Sequence, residues 1–205
     1  MERANDILEY WFGTGDWTPE RLKERTAFWF GGDGPAATAA RDIDVRTRLE
    51  PLLERASRDE FASWASRPKR RLALIILFDQ VPRNAYRGTP AAFAFDREAL
   101  ALTVEGLQLA ADAALDPIER IFFYLPLEHA ESSEAQDAAI GAFERLVAEA
   151  PPELREYCAY TAGYAHKHRD LIAMFGRFPH RNAMLKREST PEELAWLAAH
   201  PNYFG

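Results

Sequence analysis

Cysteine is all but absent from this 205-residue chain, and the single Cys158 excludes an intrachain disulfide. Long hydrophobic runs are missing as well. The strongest, Leu72 to Phe78, falls far short of the roughly 20 apolar residues of a membrane-spanning helix, so no membrane partner is expected. Met1-Glu2-Arg3-Ala4-Asn5-Asp6 sets no apolar run behind a basic start, which reads as no secretory signal. Together these absences lead to the expectation of a reducing, cytoplasmic setting. A basic excess is lacking too: 25 Lys and Arg stand against 32 Asp and Glu, a net charge of −7, which argues against a nucleic-acid partner. The chain has no phosphate-cradling glycine loop, no Gly-x-Ser-x-Gly elbow and no dinucleotide fingerprint. His129 and Glu131 are two apart, as are His166 and His168, and on a helix that spacing sends side chains to nearly opposite faces. No metal and no cofactor are expected. Nothing in the sequence sets the oligomeric state.

What is present is the composition of an ordinary globular protein, 47% hydrophobic and 28% charged. The length suits one domain or two closely packed halves, and the simplest reading is a single domain over residues 1–205. Helix signals recur throughout. Asp116-Pro117-Ile118-Glu119, Ser133-Glu134-Ala135-Gln136, Thr190-Pro191-Glu192-Glu193 and Ser57-Arg58-Asp59-Glu60 all match capping boxes, and Gln136 reads as the reciprocal partner of Ser133. Helical periodicity covers Ala99 to Ala111, Ile118 to Leu127, Ala138 to Ala148 and Leu154 to Phe175. Leu72 to Phe78 reads as a buried helix, since no period-two segment offers it a partner strand. Tyr10-Trp11-Phe12-Gly13 and Phe28-Trp29-Phe30-Gly31 each close an aromatic helix on a glycine, and Gly31 to Ala37 reads as a surface loop. The expected fold is all-α: helical hairpins stacked in a tetratricopeptide-like array, one compact domain, without a clean consensus repeat. Cys158, at helical spacing from Leu154 and Ala162, reads as a core thiol.

One phrase occurs twice. Pro82-Arg83-Asn84-Ala85-Tyr86-Arg87-Gly88-Thr89-Pro90 is echoed by Pro179-His180-Arg181-Asn182-Ala183-Met184-Leu185-Lys186-Arg187-Glu188-Ser189-Thr190-Pro191. Residues 67–87 and 166–187 each carry +5, so the remainder of the chain carries −17. Between the echoes lies Tyr124-Leu125-Pro126-Leu127-Glu128-His129-Ala130-Glu131, where Pro126 is expected to kink or break a helix just before a histidine. His168-Arg169-Asp170 and Phe175-Gly176-Arg177-Phe178 complete the set.

These stretches resemble a bacterial family known as domain of unknown function 924. The matching segments are Phe78 to Phe93, Tyr124 to Gln136 and His168 to Glu193, with weaker likeness at Phe28-Trp29-Phe30-Gly31 and Trp64. Phe-Gly-Arg-Phe-Pro-His-Arg-Asn is the most specific of its motifs. Val81, Ala130 and Lys186 depart from the usual Phe, Ser and Gly, and the missing serine weakens any role for a hydroxyl at 130. The resemblance implies a tetratricopeptide-like helical fold and no established activity.

Two functional readings follow from the residues themselves. In the first, Arg83, Asn84, Arg87, Arg177, His180, Arg181 and Asn182 grip a small anionic ligand, a carboxylate or phosphate. His129, Glu131 and His168 then supply acid–base chemistry, with Glu131 orienting an imidazole. In the second, the helices form an interaction module that holds an acidic peptide or a C-terminal carboxylate. A third reading needs no ligand: the polar residues are a structural network, with Arg87 and Arg187 reaching Asp79, Glu128 or Glu131 as ion pairs. Asn84 and Asn182 then close helices in the left-handed conformation. His168 reads as a core histidine bonded to a tyrosine or a carbonyl. His180, with Arg177 and Arg181 on either side of it in sequence, is expected to stay neutral.

Overall fold

The computed structural model describes residues 3–201 and residue 203. Met1 and Glu2, from which the N-terminal reading starts, lie outside them. The chain is 76% helical, with no strand among the described residues. It divides into two compact units, one running up to Arg87 together with Ala91–Leu115, the other Gly88–Pro90 with the chain from Asp116 onward.

In the first unit, α1 (Ala4–Phe12) and α2 (Pro19–Phe30) each end on a glycine with positive φ, Gly13 at +71° and Gly31 at +85°. Only glycine enters that backbone region without strain, as the aromatic-glycine pattern predicts. The loop after Gly31 is shorter than expected, because Pro35 already occupies the first position of α3 (Pro35–Ala56). That helix was hidden in the sequence by dense charge and by Pro51. Its buried stripe of Val45, Leu49, Leu52, Leu53 and Ala56 nevertheless keeps helical spacing. Ser57 is the residue that closes α3 rather than the start of a new helix, its hydroxyl donating to the Glu54 carbonyl.

The apolar run at 72–78 is helical and buried. α4 (Pro68–Ile75) passes into a wide turn over Ile76–Gln80, where the Val81 N–H reaches back to the Ile76 carbonyl, and then into α5 (Val81–Ala85). Pro82 has no N–H to donate, so the helical register is broken there in any case, and the extra residue of the wide turn turns Asp79 and Gln80 into the interior. α5 packs on α3, and α4 packs on α1 and on α6 (Asp96–Gln108).

In the second unit, α7 (Pro117–His129), α8 (Ser133–Glu149) and α9 (Pro152–Phe175) follow one another, with α8 packed along both neighbours. α10 (Pro191–Ala199) closes the unit. The boxes at Asp116 and Thr190 are formed as read, the Asp116 N–H donating to Glu119 and the Thr190 N–H to Glu193 at 2.8 Å. The Ser133 box is not. Ser132 is the cap of α8, its hydroxyl accepting the Ala135 N–H. Pro126 sits in the last turn of α7 without ending it, and the helix runs on to His129. Cys158 is fully buried, and that burial pushes its thiol up to about 11, so it is an unreactive core group.

Candidate functional site

The doubled phrase builds the same clasp twice, once in each unit. In the first, α5 presents Arg83, Asn84 and the following Arg87. The Asn84 side-chain amide donates to the Gln80 carbonyl at 2.8 Å, and its oxygen accepts Arg87 Nη2 at 3.2 Å. Arg87 then forks onto Asp42 of α3 at 2.6 and 2.9 Å. In the second, Asn182 donates to Ser189 at 3.0 Å and to Glu193 at 3.1 Å, and its oxygen accepts Arg187 Nε at 2.9 Å. Arg187 forks onto Glu131 at 2.6 and 2.9 Å. An asparagine that steers an arginine onto a carboxylate explains why the phrase needs both residue types.

This corrects two expectations. Both asparagines have right-handed helical backbone, Asn182 at φ −57° and ψ −47°, so neither closes a helix in the left-handed region. Arg87 pairs with Asp42, not with Asp79, Glu128 or Glu131. Arg187 does reach Glu131, as that reading required.

The left-handed position in the second corner belongs instead to Lys186, at φ +55°. A β-carbon there costs about 1 kcal/mol or more, partly offset by the extra chain entropy of glycine in the unfolded state. Lys186→Gly is therefore expected to raise stability by about 0.5 kcal/mol, read by urea denaturation, because Lys186 is exposed and makes no other demand on its backbone.

The remaining arginines differ between the corners. Arg83 forks onto Asp96 at 2.7 and 3.0 Å and also lies 3.2 Å from buried Asp79, whose other oxygen accepts Gln80 Nε2. Arg177 forks onto Glu193 at 2.6 and 2.8 Å. Arg181 instead donates to the His129 carbonyl at 3.0 Å and lies over the Phe178 ring at 4.4 Å.

Around Phe178 the second unit gathers three imidazoles. Phe178 follows the left-handed Gly176 that ends α9, and it is wholly buried. The His168 ring lies 5.4 Å from the Phe178 ring, His180 lies 5.6 Å from it, and His129 stands 6.1 Å from His168. Burial above all, then the charge of Arg181, lowers the His180 imidazole to about 4, so it is neutral at pH 7 as expected.

His168 Nδ1 is 2.8 Å from the Tyr164 carbonyl and 2.9 Å from Glu128 Oε1. A carbonyl only accepts, so Nδ1 carries the proton, and in the neutral ring Nε2 carries the lone pair. The carboxylate on the histidine is thus Glu128, not Glu131. Glu131 accepts the Phe178 N–H at 2.8 Å as well as Arg187. Burial pushes the Glu131 carboxyl up, but Arg187, the Phe178 N–H and Arg181 together bring it below its ordinary value.

Gln136 is wholly buried and serves the end of α7 rather than the start of α8. Its amide donates to the carbonyls of Leu127, Glu128 and Ala130 at 3.3, 2.7 and 2.9 Å. Those are the groups a helix end leaves without partners, and so Gln136 holds the segment that carries Glu128 and His129. Glu128 and Gln136 were not legible as site residues: Glu128 meets His168 across two helices, and Gln136 mimics a capping box. Among the described residues no three His, Cys, Asp or Glu are placed to hold a metal ion. Nor is any described helix long and apolar enough to cross a membrane.

Residues 7–200 match the model of the family described as "Bacterial protein of unknown function (DUF924)". The chain belongs to this family. The chain is also similar in three dimensions to the solved structure of a protein of unknown function, ATU0120, from Agrobacterium tumefaciens. The two are 34% identical, the match covers 96% of this chain and 97% of that one, and the TM-score is 0.77. No curated protein matches the chain. Of the positions that depart from the pattern, Lys186 stands at a strained backbone position, and Ala130 accepts Gln136 on its carbonyl and donates its N–H to Leu127.

Proposed function

We propose that the second unit carries an acid–base site for a small ligand, with His168 as the group that takes or gives a proton. Glu128 orients it, and His129 and neutral His180 complete the imidazole lining. The observation that carries this reading is the 2.9 Å contact between Glu128 Oε1 and His168 Nδ1. A buried carboxylate on Nδ1 fixes the tautomer and leaves Nε2 as the base, the arrangement by which carboxylate–histidine pairs act.

The corner arginines take a different part from the anion grip read in the sequence. Arg83, Arg87, Arg177 and Arg187 each fork onto a protein carboxylate, which an incoming anion would have to displace. They support a second reading for those residues, a clasp that fixes each corner's shape. An acidic peptide finds little to meet. The open groove of about 890 Å³ along α9 and α10 is lined by Met174, Phe175 and Trp196, and its arginine, Arg177, is already on Glu193.

A thermal-shift screen against small metabolites tests the reading. A stabilising compound should lose at least tenfold in affinity with His168→Gln and keep its affinity with Arg83→Lys. A compound that responds to Arg83→Lys and ignores His168→Gln contradicts it.

A further inference from the structure

The side of α9 that faces away from its buried residues carries a pattern of its own. Glu153, Tyr157, Tyr160, Tyr164 and Lys167 follow one another at intervals of four, three, four and three residues. That alternation keeps side chains in one line along a helix, as in the seam of a coiled coil. Cys158, Ala162 and Ala165 belong to the opposite, buried side. Tyr160, at the centre of the line, is 53% exposed. Its ring lies 5.3 Å from that of Tyr164 and 6.2 Å from that of Tyr157, and its hydroxyl is 3.1 Å from the Tyr164 hydroxyl. The three rings thus form one continuous surface. Tyrosine, with an apolar body and a polar tip, is enriched where proteins meet. The next residue in the line, Leu171, is buried, and Trp196 and Tyr203 pack against its cluster. The fold covers the end of the stripe and leaves its middle open.

The charges at the two ends say what fits there. Glu153 and Lys167 stand seven residues before and after Tyr160, about 10 Å along the helix in each direction. Glu153 is exposed, in the first turn of α9. The Lys167 ammonium meets the Tyr203 carbonyl at 3.4 Å and the faces of Tyr164 and Tyr203, none of which cancels its charge. The stripe is therefore its own complement when reversed. A second α9 laid antiparallel across it, with a two-fold axis at Tyr160, sets Glu153 against the partner's Lys167 and Lys167 against the partner's Glu153. Tyr157 then faces the partner's Tyr164. Every contact is made twice, as a two-fold interface requires. A parallel pair would instead set Glu153 on Glu153 and Lys167 on Lys167.

We infer that this face of α9 is a homodimer contact, in which two copies of the chain pair antiparallel about an axis at Tyr160. The inference stands apart from the acid–base reading and does not use it.

Sedimentation equilibrium over a series of protein concentrations tests it. The wild type is expected to pass from monomer to dimer as concentration rises. Tyr160→Arg, at an exposed position, sets like charges together on the axis and should weaken the dimer at least tenfold. Lys167→Glu, which opposes two carboxylates twice over, should weaken it about tenfold, and Glu153→Lys added to it should restore the dimer. A wild type that stays monomeric throughout overturns the inference, and that result needs no variant to fold. A dimer that Tyr160→Arg leaves at wild-type strength also overturns it. So does a dimer that Lys167→Glu weakens but the double reversal fails to restore.

Discussion

Replacing Glu193 with alanine should cost about 3 kcal/mol, the largest effect of any single polar substitution in the second corner. Glu193 is 1% exposed and one carboxylate serves four donors: Arg177 Nε and Nη2, the Asn182 amide and the Thr190 N–H. Alanine removes the α10 capping box, takes the carboxylate from Arg177 and leaves the buried Asn182 amide with Ser189 alone. Asn182 in turn steers Arg187 onto Glu131, so the loss spreads through the clasp. Urea denaturation should show the drop at unchanged slope. A loss below about 1 kcal/mol would mean that the clasp does not hold the corner.

The same carboxyl gives the loss a pH dependence. Arg177 first, with the Thr190 N–H and Asn182 behind it, holds Glu193 at about 2 against an ordinary 4.5. The unfolded chain then takes up the proton before the folded one does. This part of the stability is complete above about pH 5 and is lost as pH falls from about 4.5 toward 2. His180 adds an earlier loss of the same sign, because its folded-state value of about 4 lies below its ordinary 6.5 and the unfolded chain protonates first. Wild-type stability should therefore begin to fall below pH 6.5 and steepen below 4.5. Glu193→Gln should flatten the lower limb and leave the upper one.

Gln136→Leu should cost about 2–3 kcal/mol, equal to a fall of roughly 5–10 °C in the melting temperature for a chain of this size. Leucine fills a similar volume but leaves the carbonyls of Leu127, Glu128 and Ala130 without the donor they share. The controls lie next to it. Ser132→Ala should lose about 1 kcal/mol as the true cap of α8, while Ser133→Ala should be nearly neutral. If Ser133→Ala costs as much as Ser132→Ala, and Gln136→Leu costs little, the capping-box reading of Gln136 is restored.

The helices were legible because period and caps operate over three or four residues, which a sequence displays directly. Asp116, Thr190, Gly13 and Gly31 punctuate the chain as their chemistry requires. α3 escaped because its stripe of Val45, Leu49, Leu52 and Leu53 is thin among arginines and aspartates. The site was legible in its residue types but not in its pairings. Arg87 finding Asp42, and His168 finding Glu128, are contacts between helices far apart in sequence, and neither leaves a local trace. Gln136 shows the reverse failure: a local pattern that fits a cap was overridden by three carbonyls at the end of the preceding helix. The echo of Arg, Asn and a second Arg did report a real repeat, of side-chain geometry rather than of ligand contacts.

The central claim is that Glu128 pins the proton of His168 on Nδ1 and leaves Nε2 as the base. A long-range ¹⁵N–¹H correlation spectrum of the histidine side chains at neutral pH reads this directly. The account predicts the His168 proton on Nδ1, with that signal altered in Glu128→Gln. A ring protonated on Nε2, or a His168 signal untouched by Glu128→Gln, would contradict it.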